Sequence, residues 1–337
     1  MSFFKIRRTK MLDDAVLNHK PQSAFTVILV FYLVFIIANF ISEVILSIPT
    51  AIWMFSYEGF SEMLSGYTAS IMAGGGDNSE YIKFMEMMTA STPSWLLLIS
   101  YVSFIGVIAT VIFYCKRFEK RPISSLGLRK KSMLTEYGIG ALIGAVTSSL
   151  AVLIALLSGS ISLKVAQDGF NFMILLFLLG FIIQGIGEEL IFRGYLMISI
   201  ARDYRIAVAI TISTVVFALL GGGGEISALY VINSALFGIF LGVYVFKRGS
   251  LWGACAIHTM WNFIGGCIFG TTIDGVNKLP SVFTMEIKNN MTLANGGVSG
   301  IEGSISATIV LLLAVSLVFL LKTKKGEESL SDATEFE

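Results

Sequence analysis

The sequence predicts an all-α integral membrane protein with about eight transmembrane helices, and three observations lead to this prediction. Of the 337 residues, 55% are hydrophobic and only 14% are charged, whereas about 25% of the residues in a soluble domain are charged. Apolar runs recur along the chain, and lysine and arginine cluster in alternate segments between them. Together these features exclude a soluble globular protein.

Charge and cysteine content exclude further classes of protein. The net charge is only +1, so no overall positive field attracts nucleic acid and we expect no nucleic-acid partner. The cysteines Cys115, Cys255 and Cys267 form no C-x-x-C pair, which argues against a zinc ribbon or a redox centre. His19 and His258 are the two histidines of the chain, which limits the metal sites that it could build.

The apolar runs set the predicted membrane topology, because a helix needs about 20 apolar residues to cross a bilayer core of about 30 Å. The lipid bilayer is therefore expected to surround most of the chain. The candidate runs are 24–48, 95–115, 137–157, 170–186, 206–220, 228–246, 251–269 and 305–321.

The distribution of lysine and arginine predicts the orientation, since these residues are retained on the cytoplasmic side of short loops. Segment 116–131 is the richest in them, whereas the predicted outer loops hold only Lys83, Lys164, Lys278 and Lys288. We therefore expect a multi-pass protein of the cell membrane with both termini in the cytoplasm. The residue usage looks bacterial.

The same pattern divides the chain into six segments. The first apolar run is of spanning length and has no small-residue cleavage site, so we expect it to remain as a helix. The outer loops are rich in Gly, Ser, Thr and Asn and are predicted to be flexible connections. The segments are 1–23 (cytoplasmic), 24–132 (two additional transmembrane helices with an outer loop and a basic cytoplasmic loop), 133–270 (helical core), 271–304 (outer loop), 305–321 (final transmembrane helix) and 322–337 (cytoplasmic tail).

A group of ionisable residues follows the fourth apolar run. A charged side chain inside a bilayer costs at least a few kcal/mol, so each such residue is a functional candidate. On a helix, Glu189 and Arg193 are one turn apart and can pair, whereas Glu188 is rotated by about 100°. Glu188 lacks that partner and can accept a proton from water. The alternative is that the three residues only anchor the cytoplasmic end of the helix.

His258 and Asn262 form a second polar pair, again one turn apart on one helix face. Counted from the nearest basic anchors, Glu188 and both these residues can share the inner half of the bilayer. The alternative is that His258 only makes an interhelical hydrogen bond. The sequence requires no cofactor; a divalent metal on Glu188 and His258 is the weaker alternative, because no H-E-x-x-H motif is present.

These residues stand in motifs that resemble a known family. G-E-E-L-I-F-R-G-Y-L (187–196), followed by F-A-L-L-G and by G-S-L-W-x₅-H-x₃-N (249–262), resembles the CAAX prenyl protease and bacteriocin-processing family of membrane endopeptidases, also called CPBP or Abi proteins. The resemblance covers roughly residues 136–270. It implies a CPBP/Abi-type helical core within the membrane.

The resemblance also implies roles for individual residues. Glu188 would be the general base, with Glu189 and Arg193 as its supports, and His258 and Asn262 would donate to the developing oxyanion. One position departs from the family: its middle motif reads F-x-x-x-H, and here Gly221 occupies the place of that histidine. Losing such a group typically lowers the rate by about 10²- to 10⁴-fold.

Three functions follow as hypotheses. The first is an intramembrane endopeptidase that cleaves a peptide or membrane-protein substrate near the inner leaflet by glutamate-activated water. The second is a catalytically impaired relative that acts in bacteriocin self-immunity or binds and regulates a membrane partner, which the glycine at position 221 favours. The third is a transporter or channel. The sequence gives it little support, because it shows one polar cluster and no paired broken helices in two halves.

Overall fold

A computed structural model gives the fold of the chain, and most of the residues that it describes are helical. The C-terminal tail and Gly221, with the glycines that follow it, lie outside the described residues. The described residues are 8–17, 19–72, 82, 88, 91–220, 227–276 and 279–321.

Packed helices form the body of the molecule, and two short strands lie outside the helical bundle. Short 3₁₀ turns of three or four residues connect several of the helices. The elements in chain order are α1 (Lys10–Val16), α2 (Ala24–Ser56), α3 (Phe60–Met72), α4 (Ser94–Val102), α5 (Ile105–Arg117), α6 (Met133–Leu157), β1 (Ile161–Val165), α7 (Phe172–Glu189), α8 (Ile198–Ala201), α9 (Ile206–Leu220), α10 (Ala228–Arg248), α11 (Trp252–Phe263), β2 (Phe283–Ile287), α12 (Thr292–Asn295) and α13 (Ile305–Leu320).

The helical membrane fold predicted from the sequence is confirmed. Within the described residues, the helical stretches long and apolar enough to cross a membrane are Ala24–Ser56, Ser94–Arg117, Lys130–Leu157, Phe172–Ala201 and Ala228–Arg248.

The predicted number of eight spans is not confirmed, although every predicted apolar run forms helix. Helices α9 and α13 are apolar but shorter than the other spans. The run 251–269 divides into α11 and a π-helical turn, Ile264–Ile268. Length and composition alone therefore do not decide how these three segments cross the bilayer.

The predicted outer loop 271–304 is more regular than a flexible connection. It contains β2, which pairs antiparallel with β1 in a register that joins Ile161 to Ile287 and Val165 to Phe283. It also contains the short helix α12. The pairing joins segments more than a hundred residues apart. The turn-forming residues within each segment do not predict such a long-range contact.

The two ends of the bundle differ in charge. We call the end that carries 118–132 and 202–205 the basic end, and the end that carries 158–171 and 270–304 the far end. At the basic end, Arg121 and Arg202 both donate to Oε2 of Glu119 at 3.0 Å. These ion pairs join the basic loop to the end of the helical stretch that begins with α7.

Helices α6 and α11 pack with their backbones in direct contact. A Cβ atom on Gly140 would collide with the carbonyl oxygen of Gly253, and one on Gly144 would collide with that of Ile257. Glycines spaced by four residues allow this close approach between membrane helices. The contact fixes the position of α11, which carries His258.

Helix α7 widens into a π-helical turn, Leu190–Met197, directly after the two glutamates. Every residue of this turn is buried. π-helical turns inside α-helices are frequent at functional sites. The turn lies at the centre of the core, where it contacts α9 and the loop before α6.

Candidate functional site

Glu189 lies at the centre of a buried ionic cluster. Its side chain is 0% exposed, and its Oε1 atom accepts a hydrogen bond from Nη1 of Arg193 at 2.9 Å. The same oxygen lies 2.9 Å from Nδ1 of His258. The pairing of Glu189 with Arg193, one turn apart in the sequence, is therefore present, and the structure adds His258 to it.

Glu188 lies on the other side of the same imidazole. Its Oε2 atom is 3.7 Å from Nε2 of His258, and its side chain is 14% exposed, in contrast to the fully buried Glu189. The two glutamates therefore occupy different environments, with His258 between them. Because Glu189 engages Nδ1, Nε2 is the ring nitrogen that faces Glu188.

Gln184 connects Glu188 to a segment distant in sequence. Its Nε2 atom donates to Oε1 of Glu188 at 3.0 Å and lies 2.9 Å from Oδ2 of Asp274. Its amide oxygen accepts a hydrogen bond from Nδ2 of Asn262 at 3.2 Å. The structure thus brings Asn262 into the network through Gln184.

The predicted outer loop supplies two acidic side chains. The indole N–H of Trp261 donates to Oε1 of Glu302 at 3.1 Å, and the backbone N–H of Asp274 donates to Oε2 of Glu302 at 3.3 Å. Burial, and next the charge of Asp274, raise the pKa of Glu302 to about 8. Burial also raises the pKa of Asp274, against opposing effects of His258, Gln184 and Tyr230.

These groups surround one cavity, which offers water a volume of about 30 Å³. That volume holds at least one water molecule. Among the residues that line it, the carboxylic acids are Glu188, Asp274 and Glu302, the imidazole is that of His258, and the phenol is that of Tyr230. Arg193 and Glu189 lie behind this wall. The cavity therefore combines a partly exposed carboxylate, an imidazole and two further carboxyl groups around a space of the size of a reacting water.

Aromatic rings form much of the remaining wall. The guanidinium of Arg193 lies over the ring of Phe217, with its central carbon 4.1 Å from the ring centroid. The rings of Phe217 and Phe237 meet the imidazole of His258 edge to face, at centroid distances of 6.2 and 5.3 Å. These contacts restrict the rotation of the imidazole and exclude bulk water from the charged cluster.

The cavity extends from the middle of the bundle toward the far end. Phe217 lies in the last turn of α9, and Tyr230 lies in the first turn of α10, both at that end. Asp274 and Glu302 belong to the segment that closes it. Under the predicted orientation this is the outer side, and the placement of Glu188, His258 and Asn262 in the inner half of the bilayer stays a prediction. Counting residues from the basic anchors missed the closing segment.

The described residues contain no group of three or more His, Cys, Asp and Glu side chains arranged to hold a metal ion. A divalent metal on Glu188 and His258 stays the weaker alternative that the sequence leaves open, and Cys255 is buried and lies outside the cavity lining.

Comparison with known protein families identifies the region that carries the motifs. Residues 170–264 match the family model described as type II CAAX prenyl endopeptidase Rce1-like. This segment, less than a third of the chain, is therefore similar to the CAAX protease family. The resemblance noted from the sequence motifs is thereby confirmed. No curated protein and no solved structure matches the chain.

The Rce1-like segment contains every residue predicted to act in the site, but it does not contain the whole cavity. Glu188, Glu189, Arg193, His258 and Asn262 all lie within it. Asp274 and Glu302 lie beyond its end, and sequence analysis missed both because acidic residues in a polar loop are usually solvated. The catalytic roles of the residues predicted from the sequence stay predictions.

Proposed function

We propose that the protein is an intramembrane endopeptidase in which Glu188 activates water for attack on a peptide bond. The similarity of the segment to a protease family supports a peptidase. The observation that carries the proposal is His258 placed between Glu188, which borders the cavity, and Glu189, which is buried against Arg193. An imidazole held in this way fixes one carboxylate for ionisation and leaves the other at the cavity to take a proton.

The proposed reaction begins with a water molecule in the cavity. Glu188 takes one proton as the water oxygen bonds to the carbonyl carbon of the substrate. The negative charge that develops on the carbonyl oxygen is stabilised by the imidazole of His258 and by the amide of Asn262, whose second N–H can point into the cavity. Glu189 and Arg193 hold the imidazole in place throughout.

The substrate in this proposal is a peptide or membrane-protein segment that enters the cavity from the far end. The residues lining that end are mostly aromatic or acidic, and the cavity offers water a volume of only about 30 Å³. A substrate backbone must therefore pass along the mouth of the cavity and present its carbonyl to it.

The test is cleavage of a library of membrane-anchored peptides by purified protein in lipid vesicles. We expect Glu188→Gln to lower cleavage by at least about 10²- to 10⁴-fold, because it removes the base and preserves the shape of the side chain. The matched control is Glu43→Gln, which removes an exposed carboxylate from α2. Cleavage that survives Glu188→Gln at the wild-type rate would show that the site is assigned wrongly.

One observation favours a second function, a binding protein that has lost turnover. Gly221 stands where the family pattern has histidine, and it lies outside the described residues. In the same assay, Gly221→His distinguishes the two functions. Cleavage only in Gly221→His indicates a decayed enzyme used for self-immunity or regulation, whereas cleavage by the wild type that depends on Glu188 indicates the protease.

A further inference from the structure

The segment that follows the Rce1-like match fixes a carboxyl group at the cavity wall. Glu302 directly precedes α13, and both of its oxygens have partners: the indole of Trp261 at 3.1 Å and the backbone N–H of Asp274 at 3.3 Å. One partner comes from α11 and the other from the loop after it. The Glu302 carboxyl is thereby held facing the cavity that Glu188 also lines.

The charges around the cavity do not balance if every acid is ionised. Glu188, Asp274 and Glu302 face one imidazole, that of His258, and the guanidinium of Arg193 is already paired with Glu189. Burying three carboxylates beside one cation is unfavourable, so the cluster retains a proton. Among the described residues, Glu302 has only an indole and one long backbone contact to stabilise a negative charge, which makes it the candidate for that proton.

A hydrogen-bond bridge connects Asp274, and through it Glu302, to the proposed base Glu188. The amide nitrogen of Gln184 lies 3.0 Å from Oε1 of Glu188 and 2.9 Å from Oδ2 of Asp274. This one amide group therefore bridges the two carboxyl groups. Gln184 is 3% exposed, and its amide oxygen is held by Asn262. The closing segment is thus coupled to the base through a buried contact.

We propose that Glu302 is a further catalytic residue, the general acid that protonates the leaving amine, and that Asp274 is its positioning residue. This inference rests on the proposed peptidase function and extends it to the step that follows the attack of water. It also supplies the proton donor within this chain for a site whose middle motif lacks a histidine.

The proposed step balances in atoms and charge. The tetrahedral intermediate re-forms its C=O bond, the C–N bond breaks, and the leaving nitrogen takes the proton of the Glu302 carboxyl. Glu302 is left as a carboxylate. The proton that Glu188 took from water then returns to Glu302 through a water molecule in the cavity, and both residues regain their starting states.

Kinetics on the cleavable peptide test the assignment. We expect Glu302→Gln to lower kcat by about 10²- to 10⁴-fold with little change in KM, and Glu302→Asp to recover part of the rate. The acid must be protonated to act, so wild-type cleavage falls as the pH rises through about 8. The residual activity of Glu302→Gln should lack that fall. The matched control is Glu286→Gln, an exposed carboxylate of the same segment in β2.

Infrared difference spectroscopy tests the retained proton without substrate. A carboxylic-acid C=O band should disappear as the pH rises through about 8 and should be absent from Glu302→Gln, while the amide bands report whether the variant is folded. Absence of that band from folded wild type overturns the assignment.

The two proposals fail in different ways. Wild-type cleavage that needs Glu188 but keeps its rate and pH profile in Glu302→Gln overturns only the general acid. Wild type without any cleavage that depends on Glu188 overturns the peptidase function, and the general acid with it.

Discussion

The imidazole of His258 contacts two glutamates that are neighbours in sequence but differ in exposure. Its Nδ1 atom lies at hydrogen-bond distance from Glu189, while its Nε2 atom lies 3.7 Å from Glu188. A buried polar group needs partners, and the first contact supplies one. The second, longer contact leaves Glu188 free to move by the small distance that proton transfer requires.

Arg193 stabilises the cluster from behind, and its removal should be costly. The side chain is 1% exposed and holds Glu189 by an ion pair while it stacks on Phe217. Removing one member of a buried pair costs about 3–5 kcal/mol, because the other charge is left buried. We expect Arg193→Met to lower the thermal unfolding temperature in detergent more than the double variant that also carries Glu189→Gln.

The control for this prediction is Arg205→Met, which removes an exposed arginine next to α9. It should leave the unfolding temperature nearly unchanged. If the effects of Glu189→Gln and Arg193→Met simply add in the double variant, the two side chains do not stabilise each other and the prediction is wrong.

The sequence reveals some residues of the site and conceals others for a physical reason. Glu189 and Arg193 are one helical turn apart, so their pairing follows from local geometry. Asp274 and Glu302 lie 28 residues apart in a polar loop, and a hydrogen bond from the backbone of Asp274 to the carboxyl group of Glu302 joins them across that distance in sequence. Residue spacing in the sequence predicts which side chains are neighbours on one helix. It does not predict which loop residues close a cavity, because that depends on how the helices pack together.

At the scale of elements, the contact between α6 and α11 decides where the imidazole lies. The two helices approach so closely that backbone atoms of α11 occupy the space where side chains would extend from Gly140 and Gly144. Any side chain there must push α11 outward. Since α11 carries His258, such a shift changes the distances to both glutamates.

This contact gives a prediction with a control in the same helix. We expect Gly140→Ala to destabilise the protein and to lower cleavage by about 10²-fold, since displacement of a positioned group by about 1 Å has effects of that size. Gly138→Ala is the matched control, because nothing lies within 4 Å of a Cβ atom at that position. Thermal unfolding and cleavage rates of both variants are the measurements. Equal behaviour of the two variants would contradict the prediction.

Helices were more predictable than the structure between them. Apolar runs located the helices because burial in lipid selects composition over long stretches. The short helix α1, Lys10–Val16, and the pairing of β1 with β2 were not predicted. Both depend on contacts with distant segments, and α1 packs against the loop before α6 through Met11 and Leu12, which are buried.

At the scale of the whole molecule, the cavity and the positive charges lie toward opposite ends. Lysine and arginine concentrate at the basic end, and the closing residues Asp274 and Glu302 lie at the far end. If the basic end faces the cytoplasm, we expect the proposed substrate to approach from the outer side. The orientation is thus the property that decides which pool of peptides can reach the site.

Thiol labelling tests this direction of access. All native cysteines are buried, so the labelling of an introduced cysteine can be measured against a low background from the native thiols. We expect Ser234→Cys, which lines the cavity, to react with a small membrane-impermeant thiol reagent added outside intact cells. The exposed controls are Lys288→Cys, expected to react from outside, and Lys130→Cys, expected to react only after permeabilisation. Labelling of Ser234→Cys only from the cytoplasmic side would reverse the assignment.

The π-helical turn has a consequence for how the chain tolerates changes in length. A π-turn holds one more residue than an α-turn, so deletion of one residue within Leu190–Met197 can leave the helix continuous. Because the residue removed is the extra one, the part beyond the deletion would keep its facing relative to the glutamates, whereas the same deletion in a regular α-helix would turn that part by about 100°. Arg202 would keep its pairing with Glu119, and Glu188 would stay beside His258. A shorter relative could therefore keep both the cluster around His258 and the anchor at the basic end.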